Sequence, residues 1–399
     1  MFENIFILAA VLFVAFILML PRLVKSKGWR ATITPLASII GSGFLVLGPI
    51  LNASYGKYAP LIMAALCGVA FLFGSAIRYN IAAIDANPKT RRPLELRLET
   101  LASWTLAFAY IISVAYYLNL FGAFGVSLTR VSDAHHANLL TTAMFLLILM
   151  VGWTRGYGAL ERMEQIFVGI KLAVIAGLLV GLAIFFTKKA SGGELVFNAA
   201  TQTGWAGITL AFGLIVTVQG FETSRYLGDE YDAKIRISSM LRAQYISAAI
   251  YMIYIVLLAY IFHHSTIALD ETAIIDMMAI IAPILPVLLV VAALSAQFSA
   301  AIADTSGAGG LFEELTKNRL KPAQAYALLV AAGIALTWSA NVFEIISYAS
   351  RAFALYYGLQ SVIAALSAWR SAQYFRAGLF ATMTLLAIMM VIYGVPVEG

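Results

Sequence analysis

Ionisable side chains fall inside or at the edge of stretches otherwise suited to hydrocarbon, among them Lys171 in "EQIFVGIKLAVIAGLL", Glu222 in "LIVTVQGFETSRYLGDE" and Asp304 in "ALSAQFSAAIADTSGAG". A charge at such depth is costly, and it marks a route or binding place for ions, protons or polar solutes. Around Asp304 stand Ser295, Ser299, Thr305 and Ser306, oxygen donors of the kind a sodium ion needs, although hydroxyls also join apolar helices to one another. Bond-making chemistry has no comparable signature, because the chain carries no phosphate-cradling Walker loop, GxSxG elbow or HExxH pair. The pairs His135-His136 and His263-His264 are adjacent residues, which point apart on a helix, and the lone Cys67 completes no ligand set. No enzyme activity, metal site or cofactor is expected.

Each polar position also has a plainer reading. Lys171 can stretch toward a membrane face beside Glu161, Arg162 and Glu164. Asp304 can sit at the cytoplasmic end of its helix or pair with Lys171, and Glu222 can cap irregular backbone. Arg351 in "SYASRAFALYYG" can reach outside water or pair with Glu344. Tyr116 and Tyr117 in "SVAYYLNLFG" lie deep in their run, where a phenolic hydroxyl needs a partner in a cavity or on another helix.

The elements that hold these groups are membrane helices. The 399 residues are 62% hydrophobic and only 12% charged, with a mean hydropathy of +0.89, which excludes an ordinary soluble globule. Apolar runs able to cross ~30 Å of hydrocarbon, about 20 residues each, recur near 5–21, 32–52, 59–84, 99–123, 138–154, 163–187, 205–225, 240–262, 282–303, 323–340, 343–368 and 377–395. That pattern predicts an all-α polytopic membrane protein with about twelve transmembrane helices, its longest loops at 188–204, 263–281 and 304–322. The first run follows "MFEN" with no basic region before it and no small-residue cleavage site behind it, so it reads as a retained helix. Placing the N-terminus outside puts 20 of the 26 Lys and Arg on the cytoplasmic side, a strong positive-inside bias that also accounts for the net charge of +6 without nucleic acid.

Two of the runs are interrupted. "SIIGSGFLVLGP" places Gly41, Ser42 and Gly43 in mid-run, and the seventh run places Gln219, Gly220 and Glu222 where apolar residues belong. Glycine costs ~1 kcal/mol relative to alanine inside a helix, and freed backbone groups must then face protein or water rather than lipid. Close packing through small residues would explain the first interruption alone. The second comes five runs later in a helix of opposite direction, so runs two to six and seven to eleven form two inverted five-helix units, with runs one and twelve added. Paired interruptions at matching positions of inverted repeats point to the substrate site of a secondary transporter. Amides at a half-helix N-terminus attract an anion and freed carbonyls a cation, so a zwitterion suits both.

At these residues the chain resembles the amino acid-polyamine-organocation (APC) superfamily, whose members share the five-plus-five inverted repeat of the leucine-transporter fold. "IIGSGFLVLGP" is similar to the family's discontinuous first core helix, "EQIFVGIKLAVIAGLL" to its fifth and "QGFETSRYLGDE" to its discontinuous sixth, anchoring residues 32–368. The resemblance implies that Gly41, Ser42, Gly43 and Phe44 receive a substrate carboxylate, and that Gln219, Gly220, Phe221 and Glu222 receive its amine. Phe221 would be a gate and Tyr116 a neighbour of the cavity. It also implies that Lys171 reaches the region where sodium-coupled relatives hold a cation, its charge replacing sodium and its deprotonation able to couple transport to protons. Asp304, Ser295, Ser299 and Thr305, as oxygen donors, are the other candidates for coupling. The chain lacks the family's usual proline after the sixth-helix motif, and its extra first helix and "RYLGDEYDAKIRIS" are similar to the solute:sodium symporters.

The expectation is one membrane domain over 1–399: an extra helix and basic loop at 1–30, repeats at 31–187 and 205–368, and a last helix at 369–399. It would sit in a bacterial inner membrane and move a small-molecule substrate, an amino acid or related amine, by alternating access, coupled to protons or independent of sodium. A sodium symporter of the same fold and a sensor without flux are the alternatives. Oligomeric state is open.

Overall fold

The computed structural model describes residues 2–41, 43–86, 92–155, 157–227, 231–263 and 270–397, so Ser42 lies outside the described residues. The described elements are helical throughout: α1 (Phe2–Met19), α2 (Pro21–Val24), α3 (Lys27–Ile39), α4 (Gly43–Tyr55), α5 (Ala59–Ala86), α6 (Pro93–Val126), α7 (Ala134–Arg155), α8 (Tyr157–Ser191), α9 (Gly204–Gly213), α10 (Ala233–Ala259), α11 (Ala273–Ile281), α12 (Leu285–Leu315), α13 (Pro322–Ser339), α14 (Val342–Arg370) and α15 (Tyr374–Tyr393). Helix starts follow local chemistry. The Asp232 carboxylate accepts from Ile235 N at 2.7 Å to open α10, and Asn341 and Glu344 exchange side-chain caps at the head of α14.

Among the described residues nine helical segments are long and apolar enough to cross a membrane, and a shorter apolar helix spans Glu3–Met19. All twelve expected runs nevertheless reappear as helix. Nine differs from twelve because one segment, Gly43–Ala86, joins α4 to α5, because α1 is short, and because α3 and α9 are the stubs left by the two breaks. The expected loop at 304–322 is helical as far as Leu315, and 263–281 contains α11.

The two units run 27–191 and 204–370, and their contacts exchange as a two-fold requires. The pairs α5 with α10, α6 with α12 and α7 with α13 each join a helix to its counterpart. The α6–α14 contact is mirrored by α12–α8, and α6–α7 by α12–α13. Five helices per unit is an odd number, so the second unit crosses in the opposite sense. α1 and α15 lie outside, against α8 and α14, the last helices of the two units. α6 is the most enclosed long helix, whereas α7 and α15 present most of their surface outward, toward lipid.

Candidate substrate and coupling site

The first break follows the last turn of α3. Ile40 leaves helical geometry at φ −82°, ψ 56°, and α4 resumes at Gly43. The second follows α9, where a short 3-10 stretch (Ile215–Val218) ends at an extended Gln219. Gly220 then turns at φ +114°, and a second 3-10 stretch (Phe221–Tyr226) follows. A left-handed backbone of that kind is open to glycine and strained for other residues.

Ending helices inside a membrane frees carbonyls, and each must find a donor. The fully buried Lys171 of α8 supplies two: Nζ donates to Ala37 O and to Ile40 O, both at 2.7 Å, and to Ser299 Oγ of α12 at 3.2 Å. Three N–H groups thus meet three oxygens, which fills the capacity of an ammonium. Lys171 does not stretch to the membrane face. Glu164, buried on the same helix, is the acid whose charge acts on it. Tyr251 of α10 joins the two breaks, its hydroxyl lying 2.7 Å from Ile39 O and 2.8 Å from Thr217 O. Tyr117 of α6 does so a second time, donating to Ser38 O at 3.4 Å and accepting from Gln219 Nε2 at 2.9 Å.

The breaks are pressed together. A methyl carbon on Gly43 would lie 2.7 Å from Thr217 Cα, one on Gly41 2.8 Å from the Tyr117 ring, and one on Gly220 2.5 Å from Ile39 N. A cavity of about 10 Å³, lined by Ile39, Cys67, Val218, Gln244, Ser247 and Tyr251 among others, lies beside them. That is room for about one water. The ring of Phe221 stacks on Tyr357 at 5.1 Å, and Phe44 packs between Tyr251 and Tyr254 at 5.6 and 4.4 Å. Glu222 Oε2 accepts from Gly220 N at 3.0 Å and Tyr357 Oη at 2.8 Å, so its carboxylate caps the unwound segment.

A family model described as "APC superfamily transporter" matches residues 21–394. The chain belongs to the APC superfamily. An uncharacterized protein of Aquifex aeolicus (strain VF5) is 40% identical over 402 residues, covering 97% of each chain. A solved structure, the substrate-bound outward-open state of a Na+-coupled sialic acid symporter, superposes with a TM-score of 0.58, covering 100% of this chain and 98% of that one at 13% identity. At that identity the likeness shows the leucine-transporter fold. Family and fold together make this a secondary transporter embedded in a membrane.

In this transporter the two breaks and Lys171 meet, but other expected partners do not. Tyr116 is buried against Tyr117, ring centroids 5.0 Å apart, and Tyr117 is the one that bonds to both breaks. Both rings are buried, and Tyr116 lies close enough to Tyr251, the other tyrosine that joins the breaks, to act on it electrostatically. Asp304 is neither at a helix end nor paired with Lys171. It lies fully buried within α12, where Oδ1 accepts from Ser38 Oγ at 3.2 Å and Oδ2 meets Ser113 Oγ of α6. Ser295 and Ser299 share one face of α12. Thr305, six residues beyond Ser299, is displaced by ~9 Å and ~240°, so it cannot join them around one ion. Arg351 donates to Gly394 O at 2.6 Å, closing the end of α15, while Glu344 is occupied with its own helix cap.

One prediction arises at the second break. Gly220→Ala forces a side chain into φ +114° and against Ile39 N, at a cost of about 1–3 kcal/mol for the conformation alone. A fall in the Tm of the purified transporter is expected, and an unchanged Tm would contradict the packing of the two breaks.

Proposed function

We propose that this transporter moves an amino acid or related amine by alternating access, needs no sodium and responds to a proton gradient. One observation carries the reading: the Lys171 amine bonds Ala37 O, Ile40 O and Ser299 Oγ, placing a built-in cationic group between α3 and α12. A cation held there joins the end of the first broken helix to α12, as an ion bound in each cycle would otherwise do. Substrate would enter when the breaks part. The freed amides at the head of α4, at Gly43 and Phe44, suit a carboxylate, and the carbonyls around Thr217 and Gln219 suit an ammonium. Phe221 and Glu222 flank that position. The distribution of Lys and Arg supports an external N-terminus in a bacterial inner membrane.

Sodium coupling is the second reading, favoured by the fold shared with a Na+-coupled symporter and by the Ser295 and Ser299 hydroxyls on one face of α12. Thermal-shift screening of amino acids and amines identifies a ligand, because binding to the native state raises its apparent stability. Uptake of that ligand into liposomes, with choline replacing sodium at fixed membrane potential, then separates the readings. Undiminished uptake in choline with a response to a pH gradient is expected. Strict sodium dependence would overturn the proposal, and binding without any flux would make the protein a sensor.

A further inference from the structure

The last turn of α3 is held from two sides. Lys171 grips its carbonyls, and Asp304, on α12, holds the hydroxyl of Ser38. The two side chains share no hydrogen bond, and the ammonium has already met three other oxygens. Asp304 is therefore a fully buried carboxyl whose two oxygens, among the described residues, meet neutral serine hydroxyls alone, Ser38 from α3 and Ser113 from α6.

Among the described residues the charges around it do not compensate it. From α8 come Lys171, which is engaged elsewhere, and Glu164. The 3-10 stretch after Gly220 brings Glu222, and both acids are close enough to act on Asp304. α6 brings the phenols of Tyr110 and Tyr117, and α13 brings Tyr326, against Gly309. The ionisable residues of α3, Lys27 and Arg30, lie at its opposite end, and Asp276 belongs to α11, which precedes the start of α12. An ionised carboxylate left unpaired at this depth is strongly disfavoured, so Asp304 requires a positive partner.

Space decides which one. Both carboxyl oxygens contact hydroxyls directly, and Ser38 is itself pressed against Gly220, where an added carbon would lie 2.6 Å from Ser38 Oγ. A sodium ion or an amine needs a shell of ligands and a volume to occupy; a proton needs neither. The count of hydrogens agrees. Ser113 Oγ has a single hydrogen and lies against both Asp304 Oδ2 and Tyr110 O, the latter at 3.1 Å. With a proton on Oδ2, Asp304 donates to Ser113, Ser113 donates to Tyr110 O and Ser38 donates to Oδ1, so every hydrogen has one acceptor.

Resting on the reading of proton-coupled transport above, we propose that the transported proton is carried by Asp304, cradled by Ser38 and Ser113, while Lys171 keeps its three contacts on α3 and α12. Because Ser38 touches Gly220, the proton sits at the contact that must part for substrate to enter. Loss of the proton creates a charge that only water, admitted by opening, can stabilise. Binding and release of the proton are thereby tied to the open forms.

Infrared difference spectra of the full chain in lipid, acid minus alkaline, test the protonation without any substrate. The carbonyl band of a protonated carboxyl should be lost in Asp304→Asn and kept in Glu222→Gln; an unaltered band in Asp304→Asn overturns the proposal. Asparagine keeps the shape and both serine contacts. If that variant fails to fold, Ser113→Ala should move the titration midpoint of the band by about one pH unit, and an unmoved midpoint overturns it. Coupling is read in pyranine-loaded liposomes given a mixture of the common amino acids with putrescine and choline. The unmodified protein should acidify the lumen and Asp304→Asn should not. Acidification by Asp304→Asn would remove the coupling role. No acidification by the unmodified protein would remove the coupling role together with the parent reading, whereas the infrared result stands or falls by itself.

Discussion

Lys171→Ala will abolish gradient-driven accumulation, by at least about tenfold, while the protein still inserts in the membrane. The substitution strips Ala37 O and Ile40 O of their donor, and buried carbonyls left unsatisfied cost about 1–3 kcal/mol each. It also removes the charge that joins α3 to α12, so the first broken helix loses its fixed attachment. The sign of that charge gives a sharper test in the unmodified protein. A sodium ion ~4 Å from the ammonium would be repelled by ~4 kcal/mol at an effective dielectric of about 20, so the two do not occupy the site together. Uptake in liposomes with sodium and with choline, for the unmodified protein and for Lys171→Ala, reads both effects. Full accumulation by the variant would show that Lys171 only fills space.

Gly43→Leu will eliminate ligand binding without preventing insertion. A first added carbon already lies 2.7 Å from both Thr217 Cα and Cβ, and leucine adds three more at the place where the two breaks meet. Overfilling packed structure costs about 1–3 kcal/mol, which weakens a site built on that contact by about fivefold to more than a hundredfold. Insertion is unaffected, because leucine favours the hydrocarbon region. Gly68→Leu on α5 is the matched control: Gly68 is exposed and no atom lies within 4 Å of an added carbon, so its binding should be unchanged. Thermal-shift titration of the two variants against the same ligand checks the pair. Normal affinity in Gly43→Leu would place the substrate elsewhere.

The amino-acid sequence by itself determined the frame and the places of the two helix breaks. Long apolar runs can only become helices in a membrane, and glycines or polar residues inside them are expensive enough to announce a break; Gly41 to Gly43 and Gln219 to Glu222 were legible for that reason. Lysine in such a run was legible too, as a charge requiring an explanation. What local composition does not contain is the identity of partners far apart in the chain. Lys171 meets Ala37 across 134 positions, and Ser38 meets Asp304 across 266. The bridge that Tyr117 makes between the two breaks depends on the rotation of α6 against them, and the distance of Thr305 from Ser299 follows from α12 continuing as a helix to Leu315. Only the tertiary structure decided these, because helix rotation and register are fixed by packing among whole helices, where each buried polar group must find its partner and no short segment carries that condition alone.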